Sequence, residues 1–215
     1  DALLRDPDTA AALHPELIVR FGGPPTSKAI ATWMARHDST DHWLVDPAAG
    51  FRDPQHRASR MLRTGARQFC EAAHAGPGQP SAEAQAWFAK WRHADRVARS
   101  ALGEALAATP LFLTPHLAQA LWAGLPGDAV LYAANSMAIR EIDAFAGPRV
   151  AALRVLANRG VNGIDGQVSS ALGAAAGLRQ PTVLWCGDLT LLHDVSGLLA
   201  GRLHDADLTI VVSND

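Results

Sequence analysis

VLWCGDLTLLHDVSGLL, residues 183 to 199, runs from an apolar, β-rich stretch through Gly187-Asp188 into a helix-like pattern. A short, continuous apolar run closed by glycine is the pattern of a strand covered on both faces. Asp188 then sets a carboxylate where that buried strand stops. LTIVVSND, residues 208 to 215, is a second such strand. The chain between the two is long enough for a helical crossover over residues 191–203, with Leu192, Val195, Leu199 and Leu203 expected on its buried face. Strands joined in that way are parallel, so Asp188 and Asn214 emerge on one edge, about 4.8 Å apart at the backbone if the strands are neighbours. Octahedral Mg²⁺, with oxygen ligands at about 2.1 Å, takes one or two protein oxygens together with substrate phosphates, and this pair of donors suits it. Asp188 is equally suited to cap a helix starting around Thr190, and the residues alone leave both readings open.

Working outward, strands alternate with helices. AVLYAANS (129–136) is a strand running into Asn135-Ser136, and MAIREIDAF (137–145) a helix with Ile139, Ile142 and Phe145 on one side. VAALRVLANRG leads to the glycine-studded loop RGVNGIDG (159–166) and the small-residue helix QVSSALGAAAGL (167–178). Upstream, ELIVRFGG and HWLVDP read as strands, with SKAIATWMARH as a helix between them, and QHRASRMLRTGARQFCEAA as mixed helical and irregular chain. HAGPGQPSAEA (74–84) gathers glycine and proline ahead of Ser81, a ready cap for one long amphipathic helix to residue 107; a shorter helix opens at Thr114-Pro115. The expected fold class is α/β, with doubly wound, mostly parallel sheets and helices on both faces. The expected domains are residues 1–78 and 79–215.

Composition narrows the function. Lys and Arg number 19 against 21 for Asp and Glu, so no basic excess exists to neutralise a nucleic-acid backbone. No apolar run approaches the roughly 20 residues that span a bilayer, and no signal-peptide pattern opens the chain, which predicts a cytoplasmic protein without membrane insertion. The first residue is not Met, and the last strand stops where its loop should start, as expected of a piece of a longer chain. Cys70 and Cys186 are expected to be reduced, buried thiols, and the six tryptophans core or domain-contact residues. RHDSTDH, with His37, Asp38, Asp41 and His42, reads as a surface loop between elements rather than a zinc site. The Gly22 to Lys28 stretch lacks the glycine before lysine that a phosphate loop needs. His193 suits either a place facing Asp188 or a helix surface.

Three further stretches carry a resemblance. NSMAIREIDAF, ANRGVNGIDGQVSSALG and CGDLTLLHDVSGLL, with the Gly-Asp…Asn pair 188 and 214, resemble the diphosphate-binding domain of the thiamine-diphosphate-dependent 2-succinyl-5-enolpyruvyl-6-hydroxy-3-cyclohexene-1-carboxylate synthases of menaquinone biosynthesis. LIVRFGGPPTSKAIATWM is similar to that family's central domain, so the likeness covers nearly the whole chain. Leu189 follows Gly-Asp as this branch tends to have it. Ser213 stands where the wider pattern has asparagine, which bears on the hydrogen bonding at that corner.

The resemblance implies decarboxylation of 2-oxoglutarate and addition of the succinyl carbanion equivalent to isochorismate. It implies thiamine diphosphate and Mg²⁺ as cofactors, with Mn²⁺ as an alternative metal, and a homodimer or homotetramer. Asp188 and Asn214 would hold the metal, and Gly163, Ile164, Asp165, Gly166, Gly187, Asp188 and Leu189 would surround the cofactor. Both substrates are dicarboxylates, which guanidinium forks suit. Arg140 and Arg159 would face the substrate, with Asn135, Ser136 and Lys28 as polar contacts. Without the resemblance, Arg140 reads first as a solvated ion pair with Glu141 or Asp143. No catalytic side chain is expected here: the cofactor-activating glutamate would come from an N-terminal domain of the partner subunit, leaving the isolated piece inactive. Alternatives are another thiamine-diphosphate carboligase or decarboxylase, of acetolactate-synthase type, and a catalytically silent α/β scaffold.

Overall fold

The structure, a computed structural model, describes residues 2–48, 50–76, 78–149, 151–160 and 163–214. It divides into two units, Asp1–Ala108 and Thr109–Asp215. In the first, strands β1 (Leu17–Phe21), β2 (Asp41–Val45) and β3 (Arg60–Leu62) form a parallel sheet in the order β1-β2-β3. Helix α1 (Pro7–Ala12) starts at Asp6, whose carboxylate accepts from the Thr9 N–H, and α2 (Lys28–Arg36) at Ser27, whose hydroxyl accepts from the Ile30 N–H. Leu4, Ala10, Leu13, Ile18 and Trp33 make the core of this unit. Helix α3 (Ala66–His74) follows β3; neither was marked off in the irregular sequence around them.

The long helix α4 (Ala82–Ala108) begins at Ser81, whose hydroxyl accepts from the Ala84 N–H. It packs with the first unit: Trp91 lies edge-on to Trp33 at 5.6 Å, and the Trp87 indole donates to the His14 carbonyl at 2.8 Å. The packing division therefore falls after α4, whereas the Gly/Pro cluster that suggested a domain boundary near residue 78 precedes it. A buried ion pair organises the loop beyond β2. Arg20 meets Asp53 at 3.3 Å with both side chains buried, and the other Asp53 oxygen accepts from the Arg57 and Ala58 N–H groups at 2.7 Å each.

The second unit carries the sheet that the opening stretch foreshadowed. Helix α5 (Thr114–Gly124) precedes β4 (Val130–Ala133), α6 (Met137–Phe145), β5 (Arg154–Leu156), α7 (Gln167–Leu178) and β6 (Thr182–Gly187). Then come α8 (Asp188–His193), a 3₁₀ turn (Val195–Gly197), α9 (Leu198–Gly201) and β7 (Leu208–Ser213). All pairings are parallel, in the order β5-β4-β6-β7. Successive residues alternate between two cores, as strand geometry requires. Tyr132, Leu184 and Cys186 face Val168, Ala171 and Leu172 of α7, while Leu131 and Trp185 face Ala118 of α5 with Ala138 and Ile142 of α6. Both faces are covered, which is why β4, and β6 beyond Thr182, are apolar. No helix among the described residues is long and apolar enough to cross a membrane.

Several expectations need correction. The crossover between β6 and β7 is not one helix over 191–203 with its leucines inward: Leu192, Val195, Leu199 and Leu203 are 66, 50, 68 and 80% exposed. The helix breaks at Asp194, and its phase resets through the 3₁₀ turn, so Thr190 and Asp194 are buried and Leu191 and Ala200 meet the core. Cys186 is buried but Cys70 is exposed on α3. Asp41 and His42 open β2 instead of lying between elements, and His42 is buried. Of the tryptophans, Trp33 and Trp185 are core residues and Trp87 is exposed.

Candidate functional site

The direction of the crossovers locates the site. From β4 the chain passes through α6, on the face of Leu131 and Trp185, to β5 on one side; from β6 it passes α8 and α9, on the opposite face, to β7 on the other. The two connections diverge, so the carboxyl ends of β4 and β6 form a topological switch point, the place where open α/β sheets bind ligands. Asn135-Ser136 and Gly187-Asp188 flank it. The loop after β5 and the residue after β7 leave the same rim, because every strand is parallel.

Asp188 and Asn214 share that rim. Gly187 is in register with Ser213, so each donor is the next residue after a paired position on adjacent strands. Asp188 is half-buried and Asn214 exposed. The cap alternative for Asp188 is not realised: α8 starts at Asp188 itself, Gly187 holds the N-cap position, and no side chain caps the helix. The Ser213 hydroxyl donates to the Cys186 carbonyl at 3.4 Å, a long bond that leaves this corner loosely tied.

The loops after β4 and β5 are joined by the buried Asn135. Its amide donates to the Gly163 carbonyl at 2.7 Å, and its oxygen accepts from Arg159 at 3.4 Å. Ser136, beside it, has φ 69° and ψ −122°, a sparsely populated region for a residue with a Cβ, which costs about 1–3 kcal/mol and is typical of functional turns. Arg140 and Arg159 are both exposed, and Arg140 has no ion pair with Glu141 or Asp143 among the described residues. Glu141 turns inward and accepts from the Thr114 hydroxyl at 2.6 Å.

Gly163 and Asp165 are exposed, Ile164 and Gly166 half-buried, and Leu189 is 61% exposed. Gly166 adopts the left-handed conformation, φ 72°, at the start of α7, where a Cβ would be strained. Asp165 meets His193 at 3.3 Å on the surface, so His193 faces the 163–166 loop. Lys28 is exposed at the first position of α2, in the other unit. The RGVNGIDG stretch includes residues 161 and 162, which lie outside those described.

Sequence reasoning missed a polar layer under this rim. The fully buried Gln167 donates to the Gly163 carbonyl at 3.0 Å, while its own oxygen has no partner among the described residues. The Tyr132 hydroxyl donates to Asn158 at 2.5 Å, and Asn158 in turn donates to the Ser170 hydroxyl at 3.2 Å. Burial pushes the Tyr132 phenol up, which keeps it a donor. Asp194 accepts from both the N–H and hydroxyl of Ser169. Gln167, Ser169 and Ser170 give a local signal as polar residues at a helix start, whereas Tyr132, Asn158 and Asp194 lie in a strand, a loop and a helix end.

The donor set fits a hard cation bound to a diphosphate. One carboxylate and one amide oxygen leave most of a Mg²⁺ shell to phosphate and water. Among the described residues there is no cluster of three or more His, Cys, Asp or Glu side chains of the kind that would hold a metal without such a partner. The backbone turns at Gly163 and Gly166 add an approach free of side chains.

Comparison with known proteins agrees with this architecture. The chain is 40% identical over its whole length to the 2-succinyl-5-enolpyruvyl-6-hydroxy-3-cyclohexene-1-carboxylate synthase of Chloroflexus aurantiacus and 42% identical to that of Myxococcus xanthus, spanning 37% and 36% of those proteins. The synthase of Geobacillus thermodenitrificans is 40% identical, and again the chain spans 36% of it. An X-ray structure described as a candidate thiamin diphosphate-dependent enzyme from Mycobacterium smegmatis superposes with a TM-score of 0.57 at 14% identity, covering 93% of this chain and 38% of that one, a likeness of fold. The family model for the middle domain of thiamine pyrophosphate enzymes matches residues 1–133, more than half of the chain, and the chain belongs to that family.

Proposed function

We propose that this chain is the central part of a synthase that decarboxylates 2-oxoglutarate and adds the succinyl carbanion equivalent to isochorismate, in menaquinone biosynthesis. The observation that carries the reading is the parallel register Gly187 to Ser213, beside the topological switch point between β4 and β6. The first unit is read as part of a central domain and the second as part of the diphosphate-binding domain. Asp188 and Asn214 hold Mg²⁺, with Mn²⁺ as an alternative, and residues 163–166 with Gly187 and Leu189 surround thiamine diphosphate. When bound, that cofactor supplies the electron sink that lets a 2-oxo acid lose carbon dioxide.

The chain's own residues then bind and orient. Arg140 and Arg159, exposed on the rim, are free to form bidentate pairs with the carboxylates of two dicarboxylic substrates. Asn135 donates to the Gly163 carbonyl and accepts a long hydrogen bond from Arg159, so the substrate anchor sits beside the cofactor loop. Ser136 offers a hydroxyl beside them. Ile164 supplies apolar contact to the cofactor. The working protein is a homodimer or homotetramer in which another subunit contributes the glutamate that activates the cofactor.

The test uses the full-length protein with Mg²⁺ and thiamine diphosphate. It should consume 2-oxoglutarate with isochorismate, release carbon dioxide and leave pyruvate untouched. Turnover of pyruvate without use of 2-oxoglutarate would reject the assignment in favour of an acetolactate-synthase-like enzyme.

A further inference from the structure

Asp194 has no place in the site as assigned so far, yet it joins two of its loops. Helix α7 begins with Gly166 in the N-cap position, and glycine has no side chain with which to satisfy the N–H groups of the first turn. The missing acceptor arrives from 25 residues further on. Asp194 Oδ2 accepts from the Ser169 N–H at 2.7 Å, and Oδ1 accepts from the Ser169 hydroxyl at 2.9 Å. Asp194 is 8% exposed, so these charge-assisted bonds are shielded from water.

Asp194 also terminates α8, its N–H donating to the Leu191 carbonyl. One carboxylate thus fastens the end of the helix that starts at Asp188 to the start of the helix that closes the 163–166 loop. The contact is tight: a Cβ on Gly197 would lie 2.5 Å from Ser169 Oγ, 3.1 Å from Ser169 N and 3.1 Å from Asp194 Oδ1. Gly197 has φ −57° and ψ −26°, helical values open to any residue, so the close approach is what demands glycine there. The surface pair His193 and Asp165 links the same segments but is exposed and worth little.

We propose that Asp194 is a positioning residue of the cofactor site. By capping α7 from across the chain, it holds the 163–166 loop and Asp188 in the mutual geometry that a metal-bound diphosphate needs. It acts through Ser169 and does not touch the cofactor. The inference rests on the thiamine diphosphate reading above.

The experiment compares full-length wild type with Asp194→Ala, Asp194→Asn and Gly197→Ala. Amide exchange is followed at Ser169 and residues 163–166 without cofactor, and calorimetry gives the Kd of thiamine diphosphate with Mg²⁺, well below the melting temperature. Asp194→Ala should speed Ser169 exchange and raise Kd, each about tenfold, the size expected for loss of a helix cap. Asp194→Asn, whose side-chain oxygen still accepts from the Ser169 N–H, should stay within about threefold. Gly197→Ala keeps the carboxylate, and its gain in helix propensity offsets part of the clash, so its melting temperature should fall no further than that of Asp194→Ala, while its wedge should raise Kd in the same direction.

Wild-type Kd in Asp194→Ala and Gly197→Ala, with faster exchange, would reduce Asp194 to a structural cap and overturn the proposal. Unchanged Ser169 exchange in Asp194→Ala would overturn the capping step itself, whether or not cofactor binds. A wild type that binds no thiamine diphosphate would bring down the cofactor reading, and with it the positioning role, while the exchange result would still report on the cap. Should Asp194→Ala fail to fold, Gly197→Ala decides by the same criteria.

Discussion

Replacing Asp188 with alanine in the full-length protein separates a metal ligand from a structural carboxylate. Asp188 is the first residue of α8, makes no cap hydrogen bond and has no ion pair among the described residues. Its contribution to stability is then limited to a negative charge at a helix start, about 0.3–1 kcal/mol. In a protein of at least this size, that shifts the melting temperature by no more than about 4 °C. The cofactor should respond far more. Loss of an outer-shell partner already weakens metal sites by about 10–100-fold, so removing the ligand itself should raise the Kd for Mg²⁺ with thiamine diphosphate by about 100-fold or more. At a cofactor concentration 100 times the wild-type Kd, ligand binding stabilises the wild type by about 2.7 kcal/mol and the variant by about 0.4 kcal/mol. Thermal melts with and without cofactor would show this as a shift present in wild type and nearly abolished in Asp188→Ala, and calorimetry would give the two Kd values directly. A variant Kd within threefold of wild type would refute the metal assignment. A stability loss matching the affinity loss would return Asp188 to a structural role.

Other perturbations address the remaining chemistry. Arg159→Ala should raise the KM for 2-oxoglutarate about 10–100-fold, the loss expected for a charged hydrogen-bonding partner, and steady-state kinetics showing no change would remove it from the site. Asp53→Ala leaves Arg20 buried without its anion and strips acceptors from the Arg57 and Ala58 N–H groups, so denaturant unfolding should show a loss of about 3–5 kcal/mol. Burial pushes the Cys186 thiol up to about 11, so it stays protonated at neutral pH, and native alkylation should label Cys70 but not Cys186 until the protein is unfolded. Because an unfolded thiol ionises first, this group favours the folded state fully below pH 9 and progressively less as pH rises towards 11; equilibrium unfolding at stepped alkaline pH would register the decline.

The parts of this fold that could be read from residues alone were those governed by local pattern. A strand covered on both faces is a nearly continuous apolar run, so β4 and β6 are legible, and a helical crossover between β6 and β7 requires them to be parallel. That requirement put Asp188 and Asn214 on one rim without any knowledge of the rest. Glycine and proline were less informative about domains. The cluster around residues 76–80 precedes α4, yet α4 packs with the first unit through Trp87 and Trp91. The short β3 carries only Arg60, Met61 and Leu62, too few residues to show a period.

The misreading of the β6 to β7 crossover has a different cause, and it bears on the site. Leu192, Val195, Leu199 and Leu203 fit one apolar helical face, and hydrophobic spacing alone favours burying them. What overrides the pattern is a polar contact formed with a distant partner: Asp194 is drawn inward by Ser169, the helix ends there, and the leucines turn out to solvent. Two buried, charge-assisted hydrogen bonds at an otherwise uncapped helix start outweigh the continuity of one amphipathic stripe. The segment 188–203 supplies Asp194 and Gly197, but the demand they answer lies outside it, at the uncapped glycine of position 166. The same dependence makes the geometry around Asp188 a property of two segments at once, so the loop that presents the candidate metal ligand is specified from α7 as much as from its own sequence.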